Sequence, residues 1–170
     1  MHRWSYIRKK LEADYLAPSL RGHIQYYVTT YSKDPDRNGR AAIRFDGQEV
    51  LHGSYYGDAR NAGTWEEILA RGGNFAWKGM QVDDFTLKTG TFDQNAFYGA
   101  FEAFDNQSID ESLQSDNLLV RIFALLDRRC GKRRLAAMQE EMKAAPPALR
   151  TFYRLRCDAE GLRLEEEAAS

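Results

Sequence analysis

The sequence predicts an α+β protein, in which a small antiparallel sheet with an N-terminal helix packs against a helical C-terminal half. Short runs rich in β-branched and aromatic residues occur between residues 23 and 56, and such runs favour strands. Beyond Thr91 the apolar residues recur at helical spacing instead. The chain has 170 residues and is expected to bury roughly 70% of its unfolded surface, so that it needs no metal or disulfide to fold.

The first helix is predicted over residues 6–16. Ile7, Leu11 and Tyr15 recur every four residues, which places them on one face of a helix. Ser5 precedes this pattern, and its hydroxyl is expected to cap the first turn.

Three strands are predicted in the N-terminal half, with a fourth that completes the sheet. The clearest signal is Asp46-Gly47, because both residues tolerate the positive φ angles of a tight hairpin. Thr64 and Glu67 form a capping box, which predicts a short helix over residues 65–71. The predicted strands cover residues 23–31, 40–45, 48–56 and 80–89.

Capping signals predict four or five short helices in the C-terminal half. Phe92 and Phe97 are spaced as a hydrophobic staple around an N-cap at Asp93, and Ser108 pairs with Glu111 in a second capping box. Asp116 is expected to cap the next, long apolar helix.

The remaining boundaries are predicted from glycine and proline. Gly131 is expected to end the apolar helix as a left-handed residue just past its last turn. A further helix is predicted over residues 132–144, and Pro147 begins a last helix that Gly161 ends.

The change in the spacing of apolar residues divides the chain into residues 1–90, residues 91–162 and a flexible acidic tail over residues 163–170, which are expected to form one compact unit.

The segments 116–127 and 146–157 each contain a turn-forming residue, an apolar-arginine pair and an apolar run in the same order. Stacked helix pairs of the HEAT type explain this similarity, and a plain helical bundle explains it about as well.

Charge and cysteine content restrict the possible functions. The 24 basic and 25 acidic residues leave a formal charge of -1, so that no overall field attracts nucleic acid or an anionic membrane. The chain has neither the apolar core of a signal peptide nor a run of about 18 apolar residues, which predicts a cytoplasmic protein. Cys130 and Cys157 lack a metal-type spacing and are expected to be small core residues, with a disulfide as the less favoured alternative.

The segment 125–135 raises the main functional question, because it contains five basic residues and one glycine. These residues are Arg128, Arg129, Lys132, Arg133 and Arg134. Residues 121–134 hold six basic residues and one acidic residue, a net charge of +5, whereas residues 93–116 hold six acidic residues and no basic one, a net charge of -6. The favoured interpretation is a joint between two helices, whose cations lie beside the protein's own acidic surface. In that case, at least one of the cations among residues 132–134 has a carboxylate partner or faces outward, where it can serve a function. The alternatives are a nucleic-acid contact and an anionic ligand.

Aromatic residues on the predicted strands form a second candidate surface. Tyr27, Tyr31 and Tyr55 are candidates for a sheet face that the helices leave uncovered, since exposed tyrosines suit protein interfaces. Cross-strand aromatic pairs that only stabilise the sheet are an equally good explanation.

Searches for catalytic and metal-binding patterns give weak candidates. His23 and His52 could meet across adjacent strands beside Glu49, but their spacing is not that of a metal site. Gly131-Lys132 lacks the remaining residues of a phosphate-binding loop. No catalytic residue, metal or other cofactor is therefore assigned.

Four segments carry a family resemblance: RWSYIRKKLEADY, LRGHIQYYVTTY, GRAAIRFDGQEV and SDNLLVRIFALLDRRCGKRRL. Together they resemble a family of small uncharacterised bacterial proteins, related to a hypothetical protein first catalogued in Shigella, over about residues 3–160. The resemblance implies a bacterial origin and a shared fold, and it assigns no activity to any residue.

The first functional hypothesis is a non-enzymatic cytoplasmic protein that binds another protein, as an immunity-type or accessory factor. A toxin gene or a mobile genetic element beside its gene would support this hypothesis. The second is nucleic-acid binding through residues 128–134, and the third is a small-ligand binder or unrecognised enzyme with a pocket between sheet and helices.

Overall fold

The computed structural model describes residues 2–29, 39–54 and 82–164, together with the single positions Glu66 and Ala70. Within this part of the chain, a three-stranded antiparallel sheet combines with short helices, which confirms the α+β class. The helix predicted over residues 65–71 lies outside the described residues, apart from Glu66 and Ala70, which are helical. Tyr31 and Tyr55 also lie outside them.

The predicted N-terminal helix is confirmed, but its cap is not. Helix α1 spans Trp4–Lys9 and continues as a π-helical turn over Lys10–Asp14. Arg3 holds the N-cap position and Ser5 lies inside the first turn, so the predicted Ser5 cap was wrong. Trp4 packs against the rings of two aromatic residues in the C-terminal half, and this long-range contact favours a helix that begins two residues earlier than the local signal indicates.

The sheet has the strand order β1-β2-β3. Its strands are β1 (Ile24–Val28), β2 (Arg40–Phe45) and β3 (Gln48–Ser54). Asp46 and Gly47 have φ angles of 48° and 84°, which confirms the predicted hairpin turn between β2 and β3. Tyr26, Ile43 and Leu51 face one another in register, and all three are buried on the inner face of the sheet.

The predicted fourth strand was wrong, because Asp84–Thr89 is a helix, α2. The Asp83 carboxylate accepts a hydrogen bond from the backbone N–H of Thr86 at 2.9 Å, and the Thr86 hydroxyl is 3.0 Å from the Asp83 N–H, so the two residues form a capping box. Gly90 then ends the helix in the left-handed conformation, with φ at 67°. These local signals outweigh the apolar residues that suggested a strand.

The C-terminal half consists of short helices, as predicted. They are α3 (Gln94–Asp105), α4 (Ile109–Leu113), α5 (Leu118–Leu126), α6 (Lys132–Ala137), α7 (Gln139–Lys143) and α8 (Pro147–Ala159). The single helix predicted over residues 132–144 is thus two helices, with Met138 between them. Pro147 begins α8 as predicted, and Gly161 follows its end with a φ of 70°.

Most predicted caps of this half are confirmed. The Asp93 carboxylate accepts from the backbone N–H of Asn95 at 2.8 Å, and the rings of Phe92 and Phe97 stack 6.2 Å apart across the start of α3. The capping box of α4 is also present as predicted. The cap of α5 is Asn117 rather than Asp116, since the Asn117 side chain accepts from the first backbone N–H groups of that helix.

Gly131 does not end α5, and its predicted left-handed conformation was wrong. Helix α5 ends at Leu126, and Asp127 is already extended. Gly131 has a φ of -81° and holds the N-cap position of α6. Residues 128 and 129 consequently lie outside the last turn of α5.

One hydrophobic core contains residues from the sheet and from the helices. Helix α5 is buried along most of its length and packs against α3, α4 and α8. The sheet joins this core through Tyr26, whose ring meets that of Phe123 edge-on at 5.6 Å. No helix in the described ranges has both the length and the apolarity to span a membrane.

Candidate functional site

The segment after α5, residues 127–134, is bound to the N-terminal part of the chain through its backbone. The N–H of Ala17 donates to the Leu126 carbonyl at 2.9 Å, and the N–H of Arg128 donates to the Tyr15 carbonyl at 2.7 Å. Leu16 and Asp127 form an isolated antiparallel bridge between these two bonds. The bridge holds Asp127 in an extended conformation, which explains why α5 ends five residues before Gly131.

Arg156 of α8 fixes the same segment from the other side. Its side chain is 2% exposed, and its guanidinium donates to the carbonyl oxygens of Leu125, Asp127 and Cys130 at 2.7, 2.9 and 2.7 Å. A helix leaves its last carbonyls without partners, and Arg156 supplies donors to such groups here, while the Asp127 carbonyl also accepts from the Cys130 N–H at 3.1 Å. The Arg156 Nε also donates to Glu160 at 2.9 Å.

Arg129 is held by a buried carboxylate rather than left free for a ligand. Its guanidinium donates to both carboxylate oxygens of Asp127, at 3.1 and 2.8 Å, and the Asp127 side chain has no exposed surface. The same guanidinium lies 5.0 Å from the ring centroid of Tyr15. Arg129 therefore has a structural role between the segment and the N-terminal helix.

The other four basic residues of the candidate set differ in their partners. Arg134 forms an ion pair with Asp110 of α4 at 2.8 Å, so the expected carboxylate partner is present. Arg128, Lys132 and Arg133 are exposed, and they have no ion-pair partner among the residues that the structure describes.

Of the three candidate tyrosines, the structure describes Tyr27 alone. Tyr27 lies on the outer face of β1, is half-buried, and has the Arg44 guanidinium 4.1 Å from its ring centroid. Arg44 and Arg40 both donate to Glu49 of β3, so the outer face carries a cross-strand ion-pair network. The hydrogen bond from Arg40, acting against partial burial, lowers the pKa of Glu49 to about 2.

The suggested pairing of His23 with His52 is wrong, because β2 separates β1 from β3 and His23 precedes β1. His23 instead lies 2.6 Å from the carboxylate of Asp46 and stacks on Phe45. Within residues 2–29, 39–54 and 82–164, no three side chains form a group able to hold a metal ion.

Both cysteines are buried and free, as expected of core residues. Burial raises the pKa of the Cys130 and Cys157 thiols. A thiol of this kind is mostly protonated at neutral pH, which makes it a poor nucleophile.

The α1–α3 pocket, which the sequence did not predict, lies beside the start of the chain. It has a volume of about 100 Å³. Its lining includes His2 and Ile7 on one side and Tyr98, Phe101, Glu102 and Asp105 of α3 on the other. Tyr6 stacks on His2 with ring centroids 4.2 Å apart and is 39% exposed, the one large hydrophobic side chain in the described residues with such exposure.

A second, open groove lies between the sheet and α8. Phe45 at the end of β2 and five residues of α8 line it, with a volume of about 570 Å³. The residues of α8 are Thr151, Arg154, Leu155, Asp158 and Ala159. The groove occupies the place where a pocket between sheet and helices was expected.

The fold defines a small α+β protein with a helical core, and its described residues line the two cavities above. The chain belongs to the SF0329 protein family, whose model matches residues 3–157. This match agrees with the resemblance of the four sequence segments to an uncharacterised family. No curated protein and no solved structure matches the chain.

Proposed function

We propose that the protein is a non-enzymatic binding module of the bacterial cytoplasm whose partner is another protein, in the role of an immunity-type or accessory factor. The observation that supports this proposal is the α1–α3 pocket with Tyr6 at its side. An exposed tyrosine next to an aromatic cavity offers apolar area and a polar group at once, a combination enriched at protein interfaces. Carboxylates at the edge of the cavity add charge that can select a partner.

The test is affinity capture from a lysate of the source cell with three forms of the chain. We expect the wild type to retain a specific protein, Tyr6→Ser to lose it, and Tyr27→Ser on the sheet face to keep it. Thermal unfolding of each form establishes that the folded state is unchanged. If Tyr27→Ser alone loses the captured protein, the interface lies on the sheet and not at the pocket. If the wild type retains no protein, the proposal is contradicted.

Nucleic-acid binding is the second candidate, because Arg128, Lys132 and Arg133 are exposed without ion-pair partners in the described part of the chain. Affinity for a fluorescent duplex or RNA would then fall steeply with salt, as phosphate contacts release counterions. Replacing all three residues by alanine would abolish it. Wild-type protein that shows no salt-sensitive binding removes this candidate.

A small ligand in the groove beside α8 is the third candidate. The groove is large enough for a metabolite and combines apolar residues with Arg154 and Asp158. A metabolite that binds there raises the thermal unfolding midpoint with little dependence on salt. Leu155→Asp would remove that shift, whereas a shift unchanged by this variant would place the ligand elsewhere.

A further inference from the structure

We infer that the α1–α3 pocket accepts the cationic end of an arginine or lysine side chain from a basic partner protein. The inference rests on the proposed protein-binding function and specifies the chemistry of the partner. It follows from the walls of the pocket, its carboxylates, its size and the charge of the surface around it.

Aromatic rings form much of the wall. His2 meets the ring of Phe101 edge-on at 6.3 Å, and Tyr6 meets it edge-on at 6.4 Å, so the rings of His2 and Phe101 line the pocket from its two sides and Tyr6 lies beside them. Aromatic faces attract ammonium and guanidinium groups through their quadrupole. This group of rings already shows that affinity, since the Lys10 ammonium lies 5.8 Å from the ring centroid of Tyr6.

Two carboxylates, those of Glu102 and Asp105, also line the pocket. Glu102 is exposed and has no ion-pair partner within the described residues. Asp105 accepts a hydrogen bond from the hydroxyl of Tyr15. Burial and this hydrogen bond raise the pKa of Tyr15 to about 12, so the phenol stays protonated at neutral pH and can donate to the Asp105 carboxylate.

Lys10 and Arg129, two cations that lie near the pocket at the rings of Tyr6 and Tyr15, have other carboxylates as ion-pair partners, although Arg129 also interacts electrostatically with Asp105. Lys10 is 3.6 Å from Asp14, and Arg129 is bound to the buried Asp127. Each of these cations therefore already has a carboxylate of its own. The pocket thus retains negative charge that a ligand from outside can neutralise.

The volume of the pocket and the charge of the residues near it limit the class of ligand that it can bind. A volume of about 100 Å³ holds roughly three water molecules, which suits a guanidinium or ammonium group. Residues 93–116 carry six acidic residues and no basic one. Of these, Asp93 is buried and Asp110 pairs with Arg134. The negative charge of the other four repels nucleic acid and attracts a basic protein, which would then place one side chain in the pocket.

The test uses two peptides, tetra-arginine and tetra-citrulline, because citrulline has nearly the same shape without the charge. Titration of the ¹⁵N-labelled full chain is followed through its amide shifts. We expect saturable shifts centred on residues 98–106 with tetra-arginine and none with tetra-citrulline. Glu102→Gln is expected to weaken the affinity at least fivefold, and Asp116→Asn, an equal charge change on an exposed residue outside the pocket, less than twofold.

Equal weakening by Glu102→Gln and Asp116→Asn would overturn the inference, because it would show diffuse attraction to an acidic surface. Shifts centred outside residues 98–106, or no saturable binding, would also overturn it. If the peptide fails to bind while the captured protein still depends on Tyr6, the pocket chemistry is wrong and the proposed function stands. If the peptide binds as expected but no protein is captured, the proposed function fails and the cation site stands.

Discussion

The guanidinium of Arg156 lies 2.9 Å from the carbonyl oxygen of Asp127, and both residues are buried. One side chain from the last helix thereby satisfies the carbonyl groups where α5 ends and where the chain turns toward α6. The carboxylate of Asp127 meanwhile binds Arg129. Arg129 of the segment 125–135 thus belongs to a joint between helices, whereas Arg128, Lys132 and Arg133 have exposed side chains.

Replacing Arg156 by methionine is predicted to lower the free energy of unfolding by roughly 3 kcal/mol or more, because three buried carbonyls and Glu160 each lose one donor. Urea unfolding measures the change. Arg154→Met on the exposed side of the same helix is the matched control and is expected to change the free energy by less than about 0.5 kcal/mol. Equal effects of the two variants would show that the Arg156 hydrogen bonds contribute little.

Gly47 in the hairpin turn and Gly131 before α6 are expected to differ in the stability that is lost when valine replaces them. Gly47→Val is expected to destabilise the protein by about 1 kcal/mol or more, because valine resists the φ of 84° at this position. Gly131 has a φ of -81° and open space where a Cβ would lie, so Gly131→Val is expected to change stability by less than about 0.5 kcal/mol. This expectation replaces the larger loss that a left-handed Gly131 would imply. Denaturant midpoints of the two variants check it, and similar losses would contradict it.

Gly53 of β3 lies so close to Phe92, just before α3, that a side chain at position 53 is expected to destabilise the protein. A Cβ at Gly53 would lie 2.7 Å from the ring of Phe92 and from its carbonyl oxygen, much closer than real Cβ contacts. Gly53→Ala is therefore expected to cost about 1–3 kcal/mol through overpacking. The double variant Gly53→Ala with Phe92→Leu shows how much of the cost comes from the ring, since the contact with the carbonyl remains. A stable Gly53→Ala protein would mean that the strand and the start of α3 separate easily.

Elements whose signals lie within a few residues could be predicted from the sequence. The Asp46-Gly47 turn and the Asp93 cap of α3 need only their immediate neighbours, and both are present as predicted. The strand predicted over residues 80–89 failed for a local reason as well, since the capping box at Asp83 decided the conformation. The end of α5 failed because distant residues, Leu16 and Arg156, set it.

The candidate site was less predictable, because its two sides are far apart in the chain. His2 and Glu102 line the same pocket although 100 positions separate them, and no spacing rule connects them. The sequence does contain a signal for the buried arginine, Arg156. Leu149, Phe152 and Arg156 follow helical spacing, so an arginine occupies a buried position on the apolar face of α8.

The outer face of the sheet predicts a dependence of stability on pH. The hydrogen bond from Arg40, although opposed by partial burial, lowers the pKa of Glu49 from 4.5 to about 2 in the folded protein. A carboxylate with a lowered pKa stabilises the fold fully above its unfolded pKa, and this contribution is lost as the pH falls from about 4.5 toward 2. Urea unfolding between pH 7 and pH 2 should therefore show wild-type stability that declines below pH 4.5.

Glu49→Gln should be less stable at pH 7, by about 1 kcal/mol, and its stability should decline less in that range, since its amide does not titrate. Glu140→Gln, which changes an exposed carboxylate paired with Lys143, should keep the wild-type pH profile. An identical decline in Glu49→Gln and the wild type would show that other carboxylates cause the loss.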